Sequence, residues 1–172
     1  QHGVHSPFVY NLITKCFYDK TRFKDYHTLK SYRDQLYQNN AIISVSDFGA
    51  GSRVFKSNQR EISKIAKNAG INKKRAQLLY RIATYFKSEN TLELGTSLGI
   101  ATTALSLGNP KGQVTTIEGC PETAKIARQQ FENFELNNII LSVSNFETEL
   151  DTLKSDVFDL IYIDGNHQKE AT

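Results

Sequence analysis

The sequence predicts an α/β protein built on a doubly wound parallel sheet. One observation is an apolar run at residues 91–94 that leads into a glycine turn at residues 95–99 and then into a helix-like segment. Another is the regular alternation of strand-like and helix-like segments from residue 91 to residue 163. Because parallel strands need a long connection, usually a helix, this alternation indicates parallel strands joined by right-handed crossovers.

Local patterns place the elements of this sheet. Strands are predicted at residues 91–94, 113–117, 139–143 and 157–163, and helices at 98–107, 121–133 and 146–153. Pro121 suits the first turn of its helix, and glycine- and asparagine-rich loops separate the segments. Upstream, Ser6-Pro7 predicts a helix start, and helical periodicity marks residues 26–38, 59–69 and 73–86. The last two helices are expected to pack on one face of the sheet.

We expect two units from this organisation. Residues 1–58 would form an N-terminal helical extension with a glycine loop, a candidate lid. Residues 59–172 would form a Rossmann-like domain. The chain begins with Gln1, contains no Met and ends soon after a strand-to-loop junction. We therefore expect the C-terminal strands of such a fold to be missing from this chain.

Composition indicates a soluble cytoplasmic protein. The 172 residues are 39% hydrophobic and 23% charged, which argues against both disorder and a membrane protein. No apolar run approaches the roughly 20 residues that span a bilayer, and no signal-peptide pattern opens the chain. The two cysteines, Cys16 and Cys120, fit a reducing compartment better than a disulfide framework. We expect no membrane partner.

Positive charge is concentrated between residues 53 and 87, where Glu61 is the single acid. A solvated helix face explains this stretch. The alternative is a patch for an anionic partner such as nucleic acid. Because no recognisable RNA- or DNA-binding motif accompanies the stretch, we do not expect a nucleic-acid partner.

A second glycine loop and two N-terminal histidines are further candidates for parts of a ligand site. The loop Asp47-Phe-Gly49-Ala-Gly51 follows an apolar run and looks like a second nucleotide-binding turn. No strand ending in an acid follows it about 20 residues later, so it is interpreted as a loop that covers the site or as a plain turn. His2 and His5 are either ligands or bases, or surface residues without a role.

Glu118 gives the glycine turn its chemical meaning. It stands at the end of the second strand, and the carboxyl ends of neighbouring parallel strands lie about 4.8 Å apart. An acid at this point can accept hydrogen bonds from both hydroxyls of a ribose. The pair of turn and acid therefore predicts a ligand that contains a ribose, and it leaves open which nucleoside is bound.

Three motifs resemble those of class I S-adenosylmethionine-dependent methyltransferases, in the branch that methylates oxygen atoms of small molecules. They are Glu93-Leu-Gly95-Thr-Ser-Leu-Gly99, Thr116-Ile-Glu118-Gly119 and Asp159-Leu-Ile-Tyr-Ile-Asp164-Gly-Asn-His167. The resemblance covers about residues 77–172. It implies S-adenosylmethionine (SAM) as the cofactor and a small-molecule acceptor as the partner, and it leaves a homodimer open.

The resemblance also assigns roles to individual residues. It places the following around the methionyl and ribose parts of the cofactor: Glu93, Gly95, Thr96, Ser97 and Gly99. Glu118, with Gly119 beside it, matches the acid that binds the ribose hydroxyls. Asn145 and Phe146 match the segment that holds the adenine. Asp164 matches the acid that ends the fourth strand, beside the transferred methyl group.

The catalytic chemistry leaves alternatives at two residues. His167 is a candidate general base for the acceptor, because the pKa of histidine lies near neutrality. Asp164 would orient the substrate, bind a divalent metal as in part of the resembling family, or only cap a helix and contact the cofactor. One aspartate is not a metal site, so the sequence leaves metal dependence open.

The sequence as a whole favours methyl transfer from SAM to an oxygen atom of a small molecule. A nicotinamide-dependent oxidoreductase is the first alternative, although Ser97 stands where its motif would have the middle glycine. The second is a non-catalytic module that binds a nucleotide or nucleic acid through the basic stretch.

Overall fold

The computed structural model describes residues 6–46 and 58–165. The strands are β1 (Ile42–Ser44), β2 (Gln59–Glu61), β3 (Asn90–Leu94), β4 (Gln113–Glu118), β5 (Ile139–Val143) and β6 (Leu160–Ile163). The helices are α1 (Pro7–Leu12), α2 (Tyr26–Gln38), α3 (Ile62–Asn68), α4 (Lys73–Phe86), α5 (Ile100–Gly108), α6 (Pro121–Asn133) and α7 (Phe146–Thr152). A π-helical segment, Ile13–Phe17, continues α1. None of the helices in the described ranges has the length and apolar character needed to cross a bilayer.

Four parallel strands form the central sheet in the order β5-β4-β3-β6. Helices cover both of its faces. On one face, Val114 packs with Ala83 of α4 and Leu105 of α5. On the other, Leu92 and the neighbouring apolar residues of β3 and β4 contact Phe146 of α7. The predicted α/β fold with a doubly wound parallel sheet is confirmed.

The N-terminal helix α2 belongs to the main hydrophobic core. Its residues Leu29, Tyr32 and Leu36 are buried with Leu98 and with apolar residues of α3, α5 and α6. The boundary expected at residue 58 stays a prediction. The packing nevertheless ties α2 to the start of α5, where the glycine turn ends.

Three element starts differ from the sequence expectation. Residues 59–61 form a strand instead of a helix start, because their backbone pairs antiparallel with residues 42–44. Helix α5 begins at Ile100, because Gly99 has a left-handed φ of 78°. Strand β6 begins at Leu160 and not at residue 157, where Val157 is exposed. The carboxylate of Asp159 accepts hydrogen bonds from the N–H groups of residues 89 and 90 just before β6 starts.

Arg81 of α4 holds the π-helical segment in place. Its Nε donates to the carbonyl of Cys16 at 2.7 Å, and one terminal nitrogen donates to the carbonyl of Phe17 at 3.1 Å. The other terminal nitrogen donates to the Tyr26 hydroxyl at 3.1 Å. A π turn leaves carbonyls without regular α-helical partners, and the guanidinium supplies donors to two of them.

Arg81→Met is expected to lower the free energy of unfolding by about 1–3 kcal/mol, because it keeps the apolar stem and removes the donors of two partly buried hydrogen bonds and one exposed hydrogen bond. Urea denaturation followed by circular dichroism measures this change. Arg128→Met on the exposed side of α6 is the matched control and should change stability by less than about 0.5 kcal/mol. Equal stability of the two variants would contradict the role given to Arg81.

Candidate functional site

The glycine turn joins β3 to α5 in a conformation with three positive φ angles. They are 100° at Gly95, 49° at Ser97 and 78° at Gly99. The N–H groups of Gly95 and Thr96 both donate to the carbonyl of Ile117 in the neighbouring strand, at 3.0 and 3.2 Å. The turn is therefore fixed to the end of β4 from its first residue.

Two of these positions require glycine for reasons of space as well as φ. A Cβ on Gly95 would lie 2.8 Å from the backbone nitrogen of Gly165. A Cβ on Gly99 would lie 2.5 Å from the Phe131 ring and 2.6 Å from the Tyr32 hydroxyl. Since the first obstacle is backbone, it cannot rotate away. The turn thus packs against the end of β6 on one side and against α2 and α6 on the other.

Glu118 bridges the glycine turn and the start of α6. One carboxylate oxygen accepts a hydrogen bond from the N–H of Ser97 at 2.7 Å, and the other accepts from the N–H of Cys120 at 2.8 Å. The side chain is half-buried. A carboxylate has about four lone-pair sites, so two such bonds orient it and leave capacity for further donors. Paired hydroxyls of a ligand are donors of this kind.

Beneath the turn, Glu93 is buried without any exposed surface. Its Oε2 accepts hydrogen bonds from the hydroxyls of Thr102 at 2.5 Å and Thr116 at 2.6 Å. The hydroxyls of Thr116 and Thr96 lie 2.6 Å apart. Because a hydroxyl has one proton and Thr116 gives its proton to Glu93, Thr96 must be the donor of that contact. Oε1 of Glu93 has no partner among the described residues.

Burial raises the pKa of Glu93 to about 8, although the two threonine hydroxyls act in the opposite direction. The negative charges of Asp164 and Glu118 raise it further. Burial also raises the pKa of Tyr162, and the charge and hydrogen bond of Asp164 add to that effect. The charges of Glu118 and Asp164, at the ends of β4 and β6, therefore oppose ionisation of Glu93 near the end of β3, and this arrangement favours a positively charged ligand.

A pocket lies against the turn on the side of the α3–α4 loop. The described residues that line it are Ala69, Gly70, Ile71, Gly95, Thr96, Ser97, Leu98, Ile100, Ala101 and Asp164. No Lys, Arg or His is among them. Residues 69–71 are not among the site residues predicted from the sequence, where they stand at the end of one predicted helix and just before the next. A Cβ on Gly70 would lie 2.4 Å from the backbone oxygen of Ala66 and 2.7 Å from the Ile100 side chain, so the backbone of α3 leaves no room for a side chain at this position.

Tyr32 is the second supporting residue that the sequence did not indicate. It is fully buried, and its hydroxyl donates to the carbonyl of Leu98 inside the turn at 2.9 Å. Its ring lies 5.2 Å from that of Phe134 and 6.3 Å from that of Phe131. A tyrosine of the N-terminal segment thus fixes the last part of the glycine turn.

The structure brings most of the predicted site residues together around the turn and the pocket: Glu93, Gly95, Thr96, Ser97, Gly99, Glu118, Gly119 and Asp164. Asn145 caps α7, with its side-chain oxygen accepting from the N–H of Thr148 at 2.8 Å. The ring of Phe146 packs against Gly165, because a Cβ added to Gly165 would lie 2.6 Å from this ring. His167, His2, His5 and the loop at residues 47–51 lie outside the described residues, and the individual roles stay predictions.

The described residues contain no group of three His, Cys, Asp or Glu side chains placed to hold a metal ion. Asp164 is the one acid among the described residues that line the pocket. The ligand set of a metal thus cannot be assembled from residues 6–46 and 58–165 at this point, and metal dependence stays open.

Comparison with known proteins identifies the relatives of this site. Residues 92–172 match the model of a family described as "Methyltransferase domain". The match confirms the resemblance to class I methyltransferases that the motifs predicted. A search among curated proteins found no match for this sequence.

Solved structures share the fold. The SAH-bound methyltransferase PaMTH1 from Podospora anserina has a TM-score of 0.64 at 18% identity, over 96% of this chain and 61% of that chain. The O-methyltransferase TomG from Streptomyces achromogenes, in complex with SAM, has a TM-score of 0.57 at 16% identity, over 92% and 59%.

An O-methyltransferase from Bacillus cereus in complex with SAH has a TM-score of 0.52 at 18% identity, over 91% of this chain and 59% of that chain. At these low identities the TM-scores show a common fold and nothing beyond the fold. The chain spans less than two thirds of the length of each of these structures.

The geometry of the turn predicts a large loss of stability for one substitution and a small change for another. Gly95→Ala should lower the free energy of unfolding by at least about 2 kcal/mol, because it combines an unfavourable φ with a backbone contact. Ser97→Gly removes a side chain from a left-handed position with no such contact and should stay within about 1 kcal/mol of the parent. Urea denaturation of both variants measures the contrast. A stable Gly95→Ala protein would contradict this geometry.

Stability should depend on pH through Glu93. The folded-state pKa of about 8 lies above the ordinary value of 4.5, so the folded protein binds more protons than the unfolded chain between these pH values. The stabilisation is complete below pH 4.5 and is lost as the pH rises through 8. From pH 6 to pH 9 the free energy of unfolding should fall by about 3 kcal/mol more in the parent than in Glu93→Gln.

Denaturant unfolding at several pH values measures this slope. Glu132→Gln, an exposed acid near the end of α6, is the control and should keep the parent's slope. Parallel pH profiles for the parent and Glu93→Gln would show that Glu93 is ionised throughout.

Proposed function

We propose that this chain, whose residues 92–172 match a methyltransferase-domain family, transfers a methyl group from SAM to an oxygen atom of a small molecule. The observation that carries the proposal is Glu118. It stands at the carboxyl end of β4 and accepts hydrogen bonds from the N–H of Ser97 in the glycine turn and from the N–H of Cys120 just before α6. Ligands of doubly wound sheets bind at this edge, where the strands end.

The residues present fit SAM in several ways. The half-buried Glu118 would accept the hydroxyls of the ribose. The pocket beside Gly95 and Thr96 would take the methionyl part, and Phe146 would contact the adenine. The negative charges of Glu118 and Asp164 suit a ligand that carries a sulfonium and an ammonium group. When bound, SAM would supply an electrophilic methyl group to the acceptor.

The chain's own residues would prepare the acceptor. Asp164 lines the pocket at the end of β6 and would orient the acceptor oxygen toward the methyl group. His167, as predicted from the sequence, would take the proton that the oxygen must lose. Packing of the glycine turn against Gly165 would exclude water behind the reacting atoms.

Transfer to oxygen and a cytoplasmic location are parts of the same proposal. Oxygen is supported by the motifs and by the O-methyltransferases from Bacillus cereus and Streptomyces achromogenes that share the fold. The cytoplasm is supported by Cys16 and Cys120, which are both free thiols buried in the structure.

Glu118→Ala should weaken the binding of S-adenosylhomocysteine (SAH) at least about 30-fold, because it removes the acceptor of the ribose hydroxyls and frees the turn N–H of Ser97. Isothermal titration calorimetry on the full chain measures the affinity. Glu122→Ala, an exposed acid two residues into α6, should bind SAH as the parent does. If the parent protein binds neither SAM nor SAH, the proposal is wrong.

The atom that receives the methyl group can be identified without knowing the acceptor. The protein is incubated with a small-molecule extract and with SAM labelled with ¹³C in its transferable methyl group. The carbon chemical shift of the new methyl group distinguishes attachment to oxygen, nitrogen or sulfur. We expect an O-methyl signal that is absent with Glu118→Ala, whereas an N-methyl or S-methyl signal would overturn the oxygen assignment alone.

A further inference from the structure

A continuous path of hydrogen bonds leads from the pocket to a carboxyl group that no ligand can touch. Thr96 lines the pocket, and its hydroxyl contacts that of Thr116 at 2.6 Å. Thr116 in turn donates to Glu93, which has no exposed surface. The hydroxyls of Thr96 and Thr116 thus separate Glu93 from the pocket. Glu93 would therefore act on a ligand through its charge and not by direct contact.

The groups that face Glu93 make its ionisation costly in the empty site. Glu118 and Asp164 are acids whose negative charges oppose ionisation of Glu93. Tyr32 from α2 and Tyr162 from β6 are neutral phenols that interact with it. Among residues 6–46 and 58–165, no cationic side chain lines the pocket. The positive charge of Arg75 acts on Tyr162 and lowers its pKa slightly against the other causes.

Hydrogen bonding leaves Glu93 incompletely satisfied as well. Oε2 has two hydroxyl donors, whereas Oε1 has none among the described residues. A buried carboxylate that lacks donors on one oxygen is unstable unless a positive charge compensates it. A cationic ligand in the pocket would be that charge.

We propose that Glu93 makes this site selective for the positively charged cofactor: it is a neutral acid while the pocket is empty or holds a thioether, and it becomes a carboxylate when a sulfonium group occupies the pocket. The inference rests on the proposed function. In the coupled step the O–H bond of the carboxyl group breaks, the proton passes to solvent, and the electron pair remains on Glu93. Glu93 is a positioning residue, since it does not touch the ligand.

This selectivity changes the ligand preference during the reaction. Before methyl transfer the sulfonium and the Glu93 carboxylate attract each other across the threonine hydroxyls. After transfer the sulfur is neutral, the attraction is lost, and Glu93 takes up a proton again. The site would therefore hold the substrate SAM more tightly than the product SAH, which favours product release.

Proton counting tests the inference on the parent protein. Calorimetric titrations of SAM and SAH at pH 7, each in two buffers with different ionisation enthalpies, give the number of protons released. The raised pKa of Glu93 leaves it about 90% protonated at pH 7, so SAM should release up to about one proton more than SAH. At pH 9.5 the difference should disappear, because Glu93 is then already ionised.

A third ligand separates charge from reactivity. Sinefungin carries an ammonium group where SAM carries the sulfonium, and it cannot donate a methyl group. It should release protons as SAM does. If sinefungin and SAM release no more protons than SAH, the inference is overturned while the proposed function stands. If none of the three ligands binds, the proposed function itself fails.

The variant Glu93→Gln removes the titrating group and keeps the shape. It should lower the affinity for SAM about 10-fold or more, leave the affinity for SAH within about 3-fold, and abolish the difference in proton release. Glu132→Gln should match the parent in all three readouts. If Glu93→Gln loses affinity for SAM and for SAH equally, the role of Glu93 is structural only and the inference is wrong. If that variant does not fold, the proton counts on the parent protein decide whether the inference holds.

Discussion

The hydrogen bonds that Thr102 and Thr116 donate to the buried carboxyl of Glu93 are the interaction on which the site depends. They join three elements, β3, β4 and α5, directly beneath the glycine turn. Thr96, the second residue of the turn, is drawn into the same group through Thr116. The turn that would receive a ligand therefore takes its position from an acid that the ligand never reaches.

This arrangement fixes the surrounding residues. Gly95 must lack a side chain because the backbone of Gly165 closes over it. Glu118 completes the turn from the neighbouring strand by accepting from the N–H of Ser97. Tyr32 supports the last residues of the turn from the N-terminal helix α2. A site at the end of the sheet thus depends on a helix that precedes the sheet by about fifty residues of sequence.

Electrostatics then connects the architecture to function. Three acids lie at the ends of neighbouring strands of one sheet, and in the part of the chain that the structure describes no lysine, arginine or histidine lines the pocket beside them. In the empty site the charges of Glu118 and Asp164 oppose ionisation of Glu93, and a cation in the pocket would offset that effect. SAM is a cofactor whose reactive part is a cation and whose product is not. The same charges that favour its binding would therefore favour the release of its product.

Local patterns were sufficient to predict the sheet, the glycine turn and Glu118, because strand alternation and the spacing of the turn and acid are local signals. Tyr32 was missed because an aromatic residue on an amphipathic helix looks like any core residue, and its contact with Leu98 crosses 66 positions. The loop at residues 69–71 was missed because only the tertiary packing brings it beside the glycine turn, about 25 residues further along the chain. The helix start predicted at residues 59–61 was wrong, because the pairing of these residues with residues 42–44 overrides the local helical periodicity.

Glu93 shows most clearly what a sequence can and cannot provide. Its place before the turn was evident, but its complete burial and its raised pKa follow from how α5 and β4 pack over it. The direct measurement is carbon NMR of glutamate side-chain carboxyl groups as a function of pH, with Glu93→Gln to assign the signal. In the free protein one carboxyl group should titrate near pH 8, and at pH 7 saturating SAM, but not SAH, should move its signal to the ionised position. A spectrum in which every glutamate titrates below about pH 6 would contradict the account.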